Sequence, residues 1–421
     1  MPSLEDNVNK NSRPSELKIT DMRVANLVDL PFNASIIRID TNQGLVGYGE
    51  VRDWASATYA LVLKRHLIGE NPCNIDKIFR KIKQFGGHGR QGGGVCGVEM
   101  ALFDLAGKAY GVPAYQLAGG KFRDQVLAYC DTPEADTGAE MGQRIKERQE
   151  RGFKFLKMDV SIKLLENIPG TLVSPPGMRE SVNIMHPFTG IQITDKGIDI
   201  LCDYVAAVRQ EIGYEVPLAA DHFGHIGLQS CIRLGQALDK FTLAWYEDMI
   251  PWQYPEQFAE LSRAVNTPIC TGEDIYLKEG FKDLFEQKAI AIAHPDLATS
   301  GGIMETKKIG DMAQDHGISM ALHQAGSPIS TLANVHCAAA TENFLALEHH
   351  AADIPWWADL VVGMEKPLLE DGYFPVPEAP GLGFEGINEE LMREHLNPDA
   401  PNYFEPTDLW DADWSHDRLW S

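Results

Sequence analysis

The chain lacks any run of about 18 apolar residues, so no segment reads as a membrane-crossing helix. Its opening, MPSLEDNVNKNSRPSELK, is polar and mixed in charge, so a cytoplasmic protein without a secretion signal is the expectation. Paired cysteines are also lacking. The seven are odd in number, and the nearest two, Cys73 and Cys96, stand 23 residues apart. That spacing excludes a CxxC metal knuckle and a disulfide framework, leaving reduced core residues. Positive charge is scarce: 37 basic against 60 acidic residues give a net charge of -23. Nucleic acid and anionic membranes are thereby excluded as partners, and a small anionic substrate needs local positive charge from a metal or well-placed lysines. The glycine-rich stretch GGHGRQGGG lacks the strand-to-helix context of a nucleotide site.

What is present is enough apolar material, 44% of 421 residues, for one large barrel or two to three ordinary domains. From about residue 17 the text LKITDMRVANLV and ASIIRIDTNQGLVGYGEV reads as strand, strand, turn, strand, with Asn42-Gln43-Gly44 supplying a hairpin turn. Three helical stretches follow, the last, VCGVEMALFDLAGKAYG, stopping at Gly111-Val112-Pro113. Beyond residue 126 short apolar strands alternate with amphipathic helices. Strand ends fall near Thr132, Asp159, Asp221, Glu247, Glu273, Asp296, Leu322 and Glu348. Eight parallel strands in this pattern predict a closed α/β barrel rather than an open sheet. Residues 161–196 interrupt it with a Pro- and Gly-rich stretch directly after a strand, either an active-site lid or a surface insertion. The Trp-rich tail DLWDADWSHDRLW reads as docked against the N-terminal module or a neighbouring subunit.

An ionised Asp at the end of the buried-looking strand LAAD (218–221) is costly unless something pairs with it. From Asp221 the chain runs 26 residues to Glu247, 26 to Glu273, 23 to Asp296, 27 to His323 and 25 to Glu348. Each step is one βα unit, so these side chains arrive at one rim of the barrel, where barrel enzymes keep their chemistry. Taken singly, each carboxylate would be an ordinary strand-end cap or ion pair. Together, Asp221, Glu247 and Glu273 would repel one another, and a hard divalent cation, Mg2+ or Mn2+, resolves the conflict through oxygen ligands. Asp296 and His323 lie on neighbouring strands, so the carboxylate can fix the imidazole tautomer and make His323 a general base. Glu348 follows, either as a partner for a developing oxyanion or as a structural residue.

This order of Asp, Glu, Glu, then Asp, His, then Glu resembles the enolase superfamily, in its mandelate racemase and muconate lactonizing branch. GLVGYGEV, GVEMALFDLAGKAYGVPAYQLAGG, TGED and PDLATSGGI add to the likeness, which covers roughly residues 17 to 390. The resemblance implies a modified TIM barrel of (β/α)7β type, capped by an α+β domain built from the N-terminal segment and part of the C-terminal tail. The expected divisions are 1–125 for the cap, 126–370 for the barrel with its 161–196 insertion, and 371–421 for the segment returning to the cap. It also implies abstraction of the proton α to a substrate carboxylate through a metal-stabilised enediolate.

One departure sharpens this. Racemases of the branch end their second barrel strand on Lys-x-Lys, whereas here the text is Lys157-Met158-Asp159. Without the second Lys a two-base racemase is disfavoured unless Asp159 serves as the second base, and the pattern resembles the acid sugar dehydratases, which convert an aldonate or aldarate into a 2-keto-3-deoxy acid. Lys157 remains to neutralise the substrate carboxylate, unless it is a rim lysine with a local ion pair; Asp159 and His222 are further substrate contacts. Departure of the C3 hydroxyl wants an acid. His225 has the right strand parity after Asp221, whereas alternation turns His222 away from the barrel axis, unless the loop at Gly224 breaks it. Alternatively, His323 itself returns the proton in a syn elimination, and both histidines are substrate contacts or structural residues. In the cap, Arg52, Asp53, His88 and Arg90 are candidate readers of the sugar acid. The competing expectations are a cycloisomerase or epimerase, or a noncatalytic binding relative; in every case a homo-oligomer is expected.

Overall fold

In the computed structural model, which describes residues 12–87, 89–178, 190–223 and 226–411, the N-terminal text folds as its turn signals require. His88, His225, the centre of the 161–196 insertion and the tail beyond 411 lie outside the described residues. Strands β1 (Ile19–Leu27), β2 (Ala34–Thr41) and β3 (Val46–Val51) form an antiparallel meander. Helix α1 (Ile75–Ile82) and the long α2 (Gly93–Tyr110) pack on it. Helix α2 is buried nearly all round, and it ends at Gly111 in the left-handed region, two residues before Pro113. Gly49 in β3 explains the GYGE text: a Cβ there would overlap the carbonyl oxygen of Gly97 in α2.

Eight parallel strands then close on themselves: β4 (Gln125–Cys130), β5 (Leu156–Asp159), β6 (Leu218–Asp221), β7 (Tyr246–Glu247), β8 (Ile269–Thr271), β9 (Ile292–Ala293), β10 (Ser319–Leu322) and β11 (Phe344–His349). Closure is the β11–β4 pairing, with Leu347 opposite Ala128 and Glu348 opposite Tyr129. Helices α3 (Gly138–Glu150), α4 (Asp195–Ile212), α5 (Leu228–Leu238), α6 (Pro255–Ala264), α7 (Lys282–Glu286), α8 (Gly302–Asp315) and α9 (Pro328–Ala340) fill the seven connections. This is the expected (β/α)7β barrel. After β11 the chain turns back: β12 (Tyr373–Pro375) pairs antiparallel with β4, and Leu396 and Tyr403 bridge to Leu27 and Ala25 of β1. The buried Lys64 of the cap holds the tail through Thr407 Oγ1 at 2.9 Å and Asp411 at 2.8 Å. Of the 161–196 insertion, the described ends form a short antiparallel pairing of Leu172–Val173 with Gln192–Ile193. No helix among the described residues is long and apolar enough to cross a membrane.

Two buried carboxylates of the cap seat it on the barrel. Glu99 of α2 accepts from the N–H groups of Ile303 at 2.7 Å and Met304 at 3.0 Å, the first turn of α8. Glu50 of β3 accepts from Ser327 at 3.0 Å and Ser330 at 3.3 Å, the first turn of α9. Otherwise orphaned N–H groups at each helix start thus receive carboxyl oxygens from the neighbouring module, and burial raises the pKa of Glu50 to about 7 and that of Glu99 to about 8.

Candidate active site

Strand alternation builds the site. One side chain from each barrel strand (Tyr129, Phe155, Ala219, Trp245, Cys270, Ile292, Ala321, Ala346) joins in an apolar cluster inside the barrel. Two residues further along each strand, the pleat returns the chain to the interior: Asp131, Lys157, Asp221, Glu247, Gly272, His294, His323 and Glu348. A charged layer therefore rests directly on a dry apolar floor.

At its centre stands Lys157, 1% exposed, its Nζ 2.8 Å from Asp221 Oδ2, 3.0 Å from Glu247 Oε1 and 2.8 Å from Glu348 Oε1. Lys157 is thus no rim lysine. Burial opposes its charge, but the three carboxylates outweigh burial and hold it well above the ordinary lysine range. Glu273 reaches the layer from the wrong parity of β8, and Gly272 supplies the correction with a φ of +145°, where a Cβ would meet Phe281 at 2.6 Å. Asp248, at a φ of +46°, is likewise turned inward and accepts from Thr271 Oγ1 at 2.5 Å.

Oxygen atoms of Glu247, Asp248 and Glu273 lie within 4.8 Å of one another, and Asp221 joins them through Lys157. Burial, then the charges of Glu273, Asp221 and Glu247, push the Asp248 carboxyl well above its ordinary range. Lys157 sits among Asp221, Glu247 and Glu348, and Arg52 beside Glu273 and Asp296, so carboxylates crowd both cations. The donor set is hard oxygen, and it fits a divalent cation of the Mg2+ or Mn2+ type. Glu247 is held for such a role by Trp245 Nε1, which donates at 2.9 Å, with His294 Nδ1 alongside at 3.2 Å but without a hydrogen bond.

Asp296 and His323 meet as their neighbouring strands require: Nδ1 of His323 lies 2.6 Å from Asp296 Oδ2, and Asp296 Oδ1 accepts from Ala298 N–H at 2.6 Å. The other nitrogen, Nε2, is 3.0 Å from Glu273 Oε2 and 3.8 Å from Glu348 Oε2. Burial and the charge of Arg52 disfavour the imidazolium, but Glu273 and then Glu348 prevail, so His323 is more basic than an ordinary histidine. From the cap, Arg52 lays Nη1 on Asp296 Oδ2 and 2.9 Å from His323 Nδ1, with Nη2 3.6 Å from Glu273. Arg52, expected to read the sugar acid, is buried against the His–Asp pair, while Asp53 lies between Arg52 at 3.0 Å and Arg90 at 3.1 Å.

His222 departs from the alternation argument. Its φ of +54° ends the strand geometry, and its ring returns to the rim, Nδ1 3.0 Å from Asp159 Oδ1 and 3.3 Å from Asp221 Oδ2. Its side chain is 65% exposed. In strand order the β5–β6 pair, Asp159 and His222, stands half a barrel away from the β9–β10 pair, Asp296 and His323.

Several residues of the layer escape a reading based on strand ends. His294 bonds Tyr129 Oη at 2.5 Å beneath Glu247. His350 lies 3.3 Å from Asp131 Oδ2 and 3.1 Å from Glu348 Oε1. The available signal was the period of two beyond each apolar strand residue, which marks His294 and Asp131 as readily as Glu348.

Comparison with known proteins identifies the family. Residues 5–119 match the family model of the mandelate racemase/muconate lactonizing enzyme N-terminal domain, and residues 140–390 match that of the enolase C-terminal domain-like family. A D-xylonate dehydratase of Haloferax volcanii is 35% identical over 90% of this chain and 89% of its own. A D-galactonate dehydratase of Pectobacterium atrosepticum is 29% identical over 90% of this chain and 94% of its own. Among solved structures, a mandelate racemase/muconate lactonizing enzyme-like protein from Rubrobacter xylanophilus superposes with a TM-score of 0.81 at 31% identity. That match covers 93% of this chain and all of the other. The chain is accordingly an enzyme of the lyase class, and it belongs to the mandelate racemase/muconate lactonizing enzyme branch of the enolase superfamily.

Proposed function

We propose that the protein is a Mg2+-dependent dehydratase of a sugar acid, an aldonate or aldarate, giving a 2-keto-3-deoxy acid. The observation that carries this is the His323–Asp296 pair, whose Nε2 faces Glu273 and Glu348 across the layer centred on Lys157. Asp221, Glu247 and Glu273 would hold the cation, which supplies positive charge to the substrate carboxylate and makes the C2 proton acidic enough to remove. His323 Nε2 takes that proton, while Asp296 fixes the tautomer through Nδ1. Lys157, paired with an ionised Glu348 whose charge it and His350 sustain against burial, meets the carboxylate as charge develops on it, and Asp159 and His222 line the opposite wall as contacts for the sugar chain. The names of the two dehydratases favour aldonates of D-xylonate or D-galactonate type as substrates.

The opposed His222–Asp159 pair also supports a second reading, epimerisation at C2, because Asp221, against the cost of burial and with Asp159, raises the His222 pKa to about 11 and so offers a proton donor on the face away from His323. One experiment separates the two: incubation with Mg2+ and a panel of aldonates and aldarates in D2O. Formation of 2-keto-3-deoxy acid supports dehydration. Deuterium at C2 of an inverted, undehydrated acid supports epimerisation, and the absence of both refutes an active enzyme of either kind.

A further inference from the structure

The dehydration reading needs an acid for the departing C3 hydroxyl, since hydroxide leaves poorly near neutral pH. His222 is 65% exposed, whereas the His350 side chain is 15% exposed and lies in the charged layer itself. His350 follows Glu348 by two residues and therefore turns inward with it. His349 between them points outward, against Phe153, Trp357 and Phe374. The His350 ring lies next to that of His323, centroids 5.9 Å apart, and the cap covers it with Phe32, also at 5.9 Å. Nδ1 faces Asp131 Oδ2 at 3.3 Å, a looser counterpart of the 2.6 Å hydrogen bond between Asp296 and His323. Nε2 is buried and 3.1 Å from Glu348 Oε1, yet out of line for a hydrogen bond.

Resting on the proposed dehydration, we infer that His350, supported by Asp131, is the acid that protonates the C3 hydroxyl, on the same side of the substrate as His323. Two imidazoles on adjacent strands suit two adjacent carbons. His323 Nε2 takes the C2 proton, and the C–H electron pair passes into the carboxylate as an enediolate. That pair then forms the C2–C3 double bond while the C3–O bond breaks. The oxygen keeps the bonding electrons and takes the Nε2 proton of His350, leaving as water. In the tautomerisation, C3 takes the proton held by His323 and the C2 enol hydroxyl returns one to His350. Both imidazoles thereby regain their starting states with no net proton consumed. Burial disfavours a charged His350, but Asp131 and then Glu348 keep its proton affinity above the ordinary range.

The test uses His350→Gln and Asp131→Asn in the full chain with Mg2+, on whichever of D-xylonate and D-galactonate the wild type dehydrates faster. His350→Gln should slow dehydration about 10²–10⁴-fold while still exchanging a C2 deuteron with solvent. The 3-deoxy-3-fluoro analogue, whose fluoride leaves without protonation, should react within a few-fold of wild type. Asp131→Asn, which keeps the imidazole, should show the same split more weakly, and it serves if His350→Gln does not fold. Dehydration within threefold of wild type in both variants overturns the inference. So does loss of exchange and of fluoride release together in a folded variant, which would make His350 a support for Glu348. A wild type that dehydrates no sugar acid instead overturns the dehydratase reading beneath it.

Discussion

Lys157 Nζ lies 2.8 Å from Oε1 of Glu348, a buried cation on a buried carboxylate at the centre of the barrel mouth. The same nitrogen also serves Asp221 and Glu247, so the apoenzyme's charge balance converges on one side chain. Lys157→Met should therefore abolish turnover and destabilise the metal-free protein by about 3–5 kcal/mol, the usual cost of leaving buried charge unpaired. Adding Mg2+ should restore part of that loss, and urea unfolding with chelator against excess Mg2+ measures the difference. Equal losses in both conditions would place Lys157 away from the cation.

Cation binding should raise the stability of the wild type, by about 2.7 kcal/mol at a hundred times its Kd. Glu247→Gln removes a charge while keeping the acceptor for Trp245 Nε1, so the fold should persist as activity and Mg2+ affinity fall at least about 100-fold. Calorimetric titration of both proteins decides it. Full wild-type activity in a chelated, metal-free preparation would defeat the idea.

His323→Asn should remove C2 exchange and dehydration together, by about 10²–10⁴-fold, because the base precedes both outcomes. Asp296→Asn leaves the ring but alters the tautomer and frees Arg52, so its loss should be comparable or smaller. Persistent exchange in His323→Asn would point to His222 or Asp159 on the opposite wall.

Asp221 and Glu247 could be read from the sequence because each ends a strand whose inward parity the apolar text already sets. Asp296 and His323 follow from neighbouring strands. Glu273 was located by spacing alone; that it faces inward depends on the φ of Gly272, which spacing does not encode. Alternation would point His222 outward, but the left-handed backbone at its φ of +54° breaks the alternation one residue past the strand. The meeting of Asp131 with His350 joins β4 to β11, first and last strands of the barrel, and exists only once the barrel has closed. Arg52 has the same character, since a cap residue meets the His–Asp pair only through docking of the two modules.

Gly272→Ala tests that backbone argument. A Cβ at a φ of +145° is strained and meets Phe281, so the stability cost should be about 1–3 kcal/mol. Turning Glu273 out of the layer should cost far more in metal affinity than in folding. Measuring Kd for Mg2+ beside the unfolding free energy distinguishes a displaced ligand from a merely loosened protein, in which the two would fall in proportion.

Acid should loosen the contact between barrel and cap at His336 of α9. This fully buried ring stacks on Tyr115 at 5.7 Å, and its Nδ1 accepts from the Tyr115 N–H at 3.3 Å, so the neutral form is the one that fits. Burial lowers its pKa from 6.5 to about 4. With the folded value below the unfolded one, protonation favours unfolding. The stabilisation is complete above pH 6.5 and is lost as the pH falls from 6.5 toward 4, an order of 3 kcal/mol at about 1.4 kcal/mol per pH unit. His349, lowered to about 3, adds to the same slope. His336→Asn offers an uncharged acceptor to the Tyr115 N–H and should be less stable at pH 7.5 through lost packing, yet flatter between pH 6.5 and 4.5. Urea unfolding across that window reads the slope directly, and parallel curves for wild type and variant would show that His336 does not carry it.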